Sequence, residues 1–187
     1  MKIRYLVLAI IGAMALSLGA VACGSDDDGD GNGGSGGGEL TLAEYFSELE
    51  ALGQAFDDAG EALDGQAEGN FAGAETDEDQ IEVFVDFIDD TKNLVKDFVN
   101  DIDNLNAPAE AADAHSEAVT AGRELGDMYD NALTVLDTYE TFEEATFVLE
   151  APGFVAAASR FGAACIELQD FATANDINVD LACPSDF

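Results

Sequence analysis

Positive charge is what this sequence has least of. Its 187 residues include 6 Lys and Arg against 40 Asp and Glu, and the formal net charge is −34. A surface of this sign repels phosphate backbones and anionic lipid headgroups. Nucleic acid is therefore excluded as a partner of the folded part of the chain, as is direct binding to anionic headgroups. We expect the acidity to serve mainly solubility, with cation binding as the alternative.

Metal ligands are scarce as well, since the chain has one His and 3 Cys. A di-iron carboxylate bundle needs two Glu-x-x-His units, and a zinc site needs several His or Cys ligands. The chain has neither a C-x-x-C-H haem-attachment motif nor a P-loop. These absences predict a non-enzymatic protein with no catalytic residue, no cofactor and no metal site.

The first 22 residues have the three parts of a secretory signal peptide. Met1–Arg4 is a short cationic start, and Tyr5–Leu18 is apolar apart from Ser17. Small residues, Gly19–Ala22, end the apolar run, as the narrow site of a signal peptidase requires. We therefore predict that residues 1–22 are a signal peptide.

Cys23 follows the small residues at once, and the next fifteen residues, 24–38, are mostly Gly and Asp. This arrangement, over about the first 38 residues, resembles the lipobox and tether of bacterial lipoproteins. The helical domain resembles uncharacterised bacterial surface lipoproteins. The resemblance implies cleavage before Cys23 and a diacylglyceryl group on its thiol. It also implies a lipid-anchored location at the cell membrane, facing outside the cytoplasm.

Two other fates of this segment stay open. Ala20 stands where a lipobox usually has Leu, and Ala20-Val21-Ala22 also fits the A-x-A rule of ordinary signal peptidase. Ordinary cleavage would give a secreted protein with a free amino-terminal thiol. An uncleaved Tyr5–Ala22 helix would be near the lower length limit for spanning a bilayer.

The segment 23–38 is predicted to be a disordered tether, because Gly and Asp cannot bury enough apolar area to offset the entropy of ordering. Fifteen such residues have a reach of about 20 Å. Part of the tether matches positions 1, 3, 5 and 6 of an EF-hand loop, through Asp26, Asp28, Asp30 and Gly31. Gly37 replaces the final bidentate Glu, so we expect a solvated linker there and no calcium site.

Residues 39–187 are predicted to be an acidic helical bundle, since apolar residues recur every three or four positions. Glycines between Gly65 and Gly73 are expected to end the first helix, and Pro108 is expected to open the third. Val83 and Phe87 widen the apolar stripe of the second helix, so it should touch more than one neighbour. The predicted helices run from 42 to 63, about 77 to 105, about 108 to 139, 141 to about 150, and 152 to about 174. Capping boxes are expected at the first two starts, formed by Thr41 with Glu44 and by Thr76 with Asp79.

Four long helices with short connections predict an all-α fold, an antiparallel four-helix bundle with one short extra helix. With Cys23 assigned to lipid, Cys165 and Cys183 remain as one pair in an oxidising compartment. We predict a disulfide that pins the carboxy-terminal tail to the last helix. Two buried free thiols are the alternative.

His115 lies on the apolar stripe of the third helix beside Asp113 and Ser116. We expect it to be a packed histidine whose ring bonds a carboxylate or a backbone carbonyl. The alternative is a proton acceptor in a small-ligand pocket. Arg123 is expected to reach Asp127, four residues on, because such pairs share a helical face.

These observations favour a non-enzymatic, membrane-anchored binding or envelope-interaction module, with an envelope protein as its partner. The alternative is a carrier of a small ligand or metal ion with a cavity inside the bundle. A cavity above about 300 Å³ lined by Phe and polar groups would favour the carrier. A solid core with an exposed apolar strip would favour a protein partner.

Overall fold

The computed structural model describes residues 40–183, and this part is all-helical with no strand. The predicted signal peptide, Cys23 and the tether lie outside the described residues. The helices of the described part are α1 (Leu42–Gly73), α2 (Asp77–Asp103), α3 (Ala112–Leu136), α4 (Phe142–Thr146) and α5 (Pro152–Ala174), with a 3-10 turn (Phe147–Glu150) between α4 and α5. Within residues 40–183, no helix combines the length and the apolar character needed to cross a membrane.

The starts of α1 and α2 are fixed by reciprocal side-chain capping, as their sequences predict. Thr41 accepts from the Glu44 backbone N–H at 3.3 Å, and the Glu44 carboxylate accepts from the Thr41 N–H at 2.9 Å. Thr76 and Asp79 make the same pair of bonds at the start of α2. Each cap satisfies amide groups that have no partner inside the helix, which is worth about 1 kcal/mol.

Three predicted boundaries are wrong. Helix α1 does not end at residue 63 but runs through the glycine-containing segment to Gly73, because Ala67 is buried and Phe71 packs against Phe142 at 5.3 Å between ring centroids. Helix α3 begins at Ala112 and not at Pro108, which lies in a turn before it. The same helix ends at Leu136, before Tyr139.

The core lies between neighbouring pairs of long helices: α1 with α2, α2 with α3, and α3 with α5. Gly122 of α3 lies against side chains of both α2 and α5. A methyl group on Gly122 would overlap the Val99 side chain and would lie 3.1 Å from the Phe161 ring. The largest side chains that are fully buried are Tyr45, Phe46, Ile88, Val95, Val99, Leu136 and Phe142.

The predicted Cys165–Cys183 disulfide is confirmed, and the tail is pinned as expected. Gln169 of α5 reinforces it, because its amide nitrogen donates to the Val179 carbonyl at 3.0 Å and its amide oxygen accepts from the Leu181 N–H at 2.9 Å. The Leu181 side chain is buried. The tail is therefore part of the packed structure up to Cys183.

Candidate functional site

The described part of the chain has a groove of about 520 Å³ along α2. Helices α1 and α3 form its two other walls. The α1 wall comes from the last part of that helix and the α3 wall from its last turns. The lining residues are Leu63, Gln66, Ala67, Asn70, Val83, Val85, Asp86, Phe87, Asp89, Asp90, Leu133 and Asp137.

The groove lies outside the core. Phe84 and Ile88 are the buried residues of this part of α2, and neither lines the groove. The α2 residues that do line it are half-buried, as Phe87 is, or exposed, as Asp86 and Asp90 are. The site is therefore a surface groove open to solvent, lined by both apolar and polar side chains.

Negative charge dominates the polar part of the groove. Its lining includes Asp86, Asp89, Asp90 and Asp137 and no Lys or Arg. Lys92, one turn further along α2, makes a short ion pair with Asp89 and lies 3.9 Å from Asp130. One of the four carboxylates thus has a cation from the chain itself.

The other cations of residues 40–183 bind carboxylates away from the groove. Lys96 pairs with Asp130 at 2.5 Å. Arg123 pairs with Asp103 of α2 at 2.7 Å, so the prediction that it reaches Asp127 is wrong. The reason is that α2 packs close beside α3 and offers a partner across the helix interface. Arg160 bridges two carboxylates of α3, those of Glu117 and Glu124.

A row of carboxylates also follows α1, on a face of the helix that does not line the groove. Partial burial, with the charges of Glu68 and Glu61, raises the pKa of Asp64 to about 6. Burial is the first cause for Asp57 too, whose pKa is raised further by Glu61 and other neighbouring carboxylates. Ionising either group in the folded protein therefore costs free energy.

His115 is far from the groove along α3 and makes an interior contact. Its Nδ1 lies 3.0 Å from the Tyr45 hydroxyl, whose side chain is fully buried. The expectation of a carboxylate or backbone partner is therefore wrong, because the fold brings α1 against the start of α3. Partial burial lowers the pKa of His115, against the opposing charge of Asp103. This hydrogen-bonded contact with a buried tyrosine fits a structural role for His115.

Two further features bear on binding. Within residues 40–183, no three His, Cys, Asp or Glu side chains are grouped to hold a metal ion. Among the described residues, four large apolar side chains are exposed, and the most exposed of them, at 53%, is Phe147 in the 3-10 turn. The others are Val135, Val155 and Ile166.

The sequence did not identify the groove, although one signal for it was present. Val83 and Phe87 widen the apolar stripe of α2 beyond what one neighbour would cover, and both line the groove. The contributions of Leu133 and Asp137 depend on how α3 packs, which no local pattern encodes.

Comparison of the chain with protein-family models, curated proteins and solved structures finds no match.

Proposed function

We propose that this chain is a lipid-anchored, non-enzymatic binding module that faces outside the cytoplasm. The signal-peptide pattern and the cysteine that follows it support the anchor. The Cys165–Cys183 disulfide supports the compartment, because disulfides persist where the environment is oxidising. In this proposal Cys23 carries the lipid, and the module meets an envelope protein.

The proposed architecture is an antiparallel four-helix bundle of α1, α2, α3 and α5. Contacts between neighbouring helices support it, since residue numbers rise along one helix as they fall along the next. The supporting pairs are Phe56 with Phe98, Lys96 with Asp130, Asp103 with Arg123, and Tyr129 with Phe154.

The observation that carries the binding proposal is the open groove itself. A partner can enter it from solvent without any opening of the core. Its position also suits a tethered protein. The described chain starts at Leu40, which lies beside Asn106 and whose N–H donates to the Asn106 carbonyl at 3.4 Å. The groove begins more than twenty residues further along α1, which is about 35 Å of helix. An anchored module would thus hold the groove away from the bilayer.

Intact-mass analysis of membrane-extracted protein tests the anchor. We expect a polypeptide that begins at Cys23 and carries the mass of a diacylglyceryl group, with or without a further acyl chain. A Cys23→Ser variant is the matched control and should leave the membrane fraction. A wild-type chain that begins elsewhere, or begins at Cys23 without acyl mass, would refute lipid anchoring.

Photo-crosslinking in intact cells tests the binding role. A photoreactive residue replaces Gln66, an exposed residue of the groove wall, and in a second variant it replaces Ala163, an exposed residue of α5. We expect a discrete protein adduct from position 66 and none from position 163. Absence of any adduct from the groove would contradict the proposed protein partner.

A small-ligand carrier is the second candidate, and the volume of the groove favours it. About 520 Å³ is within the range of small-molecule sites, and Phe87 and two amide side chains line it. Native mass spectrometry of the extracted protein distinguishes the two candidates. A carrier would retain a defined added mass of a few hundred daltons, lost on denaturation.

A further inference from the structure

Three carboxylates of the groove have no cation from the described part of the chain. Within residues 40–183 the ion pairs involve Lys92, Lys96, Arg123 and Arg160, and none of them includes Asp86, Asp90 or Asp137. All four basic side chains are thus engaged with other carboxylates. A cationic ligand would therefore meet carboxylates that no basic side chain of residues 40–183 pairs with.

The apolar side chains of the groove restrict which class of cationic ligand would fit it. Leu63, Val83, Phe87 and Leu133 line the groove and are only half-buried, so an occupant would remove apolar surface from water. A bare metal ion or a simple polyamine would neutralise the carboxylates and leave the apolar side chains exposed to water. A ligand that uses both kinds of surface has basic and apolar groups close together.

We infer that the groove binds a cationic amphipathic peptide segment, in which Lys or Arg alternates with apolar side chains at helical spacing. This inference rests on the proposed function, since it names the chemistry of the partner that the groove would receive. Asp86 and Asp90 lie one helical turn apart on α2, so they match basic residues spaced by one turn. Asp137 faces the groove from α3 and engages a further basic residue.

The test measures the affinity of a labelled peptide of Leu and Lys, about 14 residues long so that a short helix can form. Fluorescence anisotropy is recorded at about 0.15 M salt, where charges beyond about 8 Å are largely screened. Two altered peptides separate the two chemistries. One replaces Lys by Glu, and the other replaces Leu by Ser and keeps the charge. Spermine is the small-cation competitor.

Two matched protein variants change the net charge by the same amount, one at the groove and one away from it. The groove variant is Asp86→Asn with Asp90→Asn and Asp137→Asn. The control variant, made at three exposed carboxylates outside the groove, is Asp97→Asn with Asp101→Asn and Asp170→Asn. Circular dichroism verifies that both variants are folded.

We expect the groove variant to bind the peptide about tenfold more weakly than wild type, and the control variant about twofold more weakly at most. Both altered peptides should bind at least about tenfold more weakly than the original. Equal losses in the two variants would show attraction to net charge alone and would overturn the inference. Undiminished binding of the Leu→Ser peptide, or full displacement by stoichiometric spermine, would overturn it as well.

The inference and the proposed function can fail separately. A crosslinked adduct at position 66 without binding of the cationic peptide would refute the inference and leave the binding role standing. Groove-dependent binding of the peptide without any adduct in cells would support the inference and refute the protein partner in the cell.

Discussion

Replacing Asp64 by Asn should stabilise the protein at neutral pH. Partial burial and the charges of Glu68 and Glu61 raise the pKa of the Asp64 carboxyl from 3.8 to about 6. A carboxyl with a raised pKa favours folding while it is protonated, so its stabilising effect is complete below pH 3.8 and lost as the pH rises through about 6. At pH 8 the ionised Asp64 therefore destabilises the folded state, and the neutral Asn side chain would not.

The size of the gain follows from the pKa difference between the folded and unfolded chains. About two pKa units correspond to about 3 kcal/mol of unfolding free energy for a fully shielded group. The Asp64 side chain is only half-buried, so solvent screens much of this. We expect Asp64→Asn to raise the free energy of unfolding by about 1 kcal/mol at pH 8.

Urea unfolding at pH 8 and at pH 5 measures the effect, since both values lie above the sequence isoelectric point of about 4.1. The advantage of the variant should shrink at pH 5, where Asp64 of the folded wild type is largely protonated. Asp97→Asn, at an exposed site of α2, is the control and should change stability little at either pH. An advantage that is absent at pH 8, or that grows at pH 5, would refute the assignment of charge burial to Asp64.

Two packing features give further predictions. Cys183→Ser removes the disulfide to Cys165, whose sequence separation is 18, and should lower the free energy of unfolding by about 3 kcal/mol. Wild type treated with dithiothreitol should have the same lowered stability, and an unchanged urea midpoint would contradict this. Gly122→Ala should destabilise by about 1–3 kcal/mol, because its methyl group would overlap Val99. Gly60→Ala, with no atom within 4 Å of the added methyl, should instead stabilise by up to about 1 kcal/mol, and thermal melts that move both variants the same way would refute the packing argument.

The starts of the helices could be predicted from sequence because capping is local. Thr41 with Glu44 and Thr76 with Asp79 lie three residues apart, and each pair makes its bonds wherever the rest of the chain packs. The end of α1 could not be predicted in this way. Its glycines favour a break, but Phe71 packs against the ring of Phe142 in α4, about seventy residues later in the sequence. Long-range packing outweighed the local preference.

The disulfide was predictable and the groove was not, for a related reason. With Cys23 assigned to lipid, the composition leaves one possible pair, Cys165 with Cys183. The groove instead depends on which faces of three helices meet, and α3 contributes only Leu133 and Asp137 to it. The His115 partner was missed likewise, because Tyr45 lies 70 residues earlier in the chain.

The carboxylates of α1 and those of the groove lie in two different settings. Asp57 and Asp64 are seven residues apart, on a face of α1 that does not line the groove, and burial with neighbouring carboxylates raises the pKa of both. Ionising them therefore costs the folded state free energy whatever occupies the groove. Asp86 and Asp90 are exposed and line the groove. A cationic occupant would contact the second pair and not the first, so the acidity that weakens the fold and the acidity that would attract a partner belong to different residues.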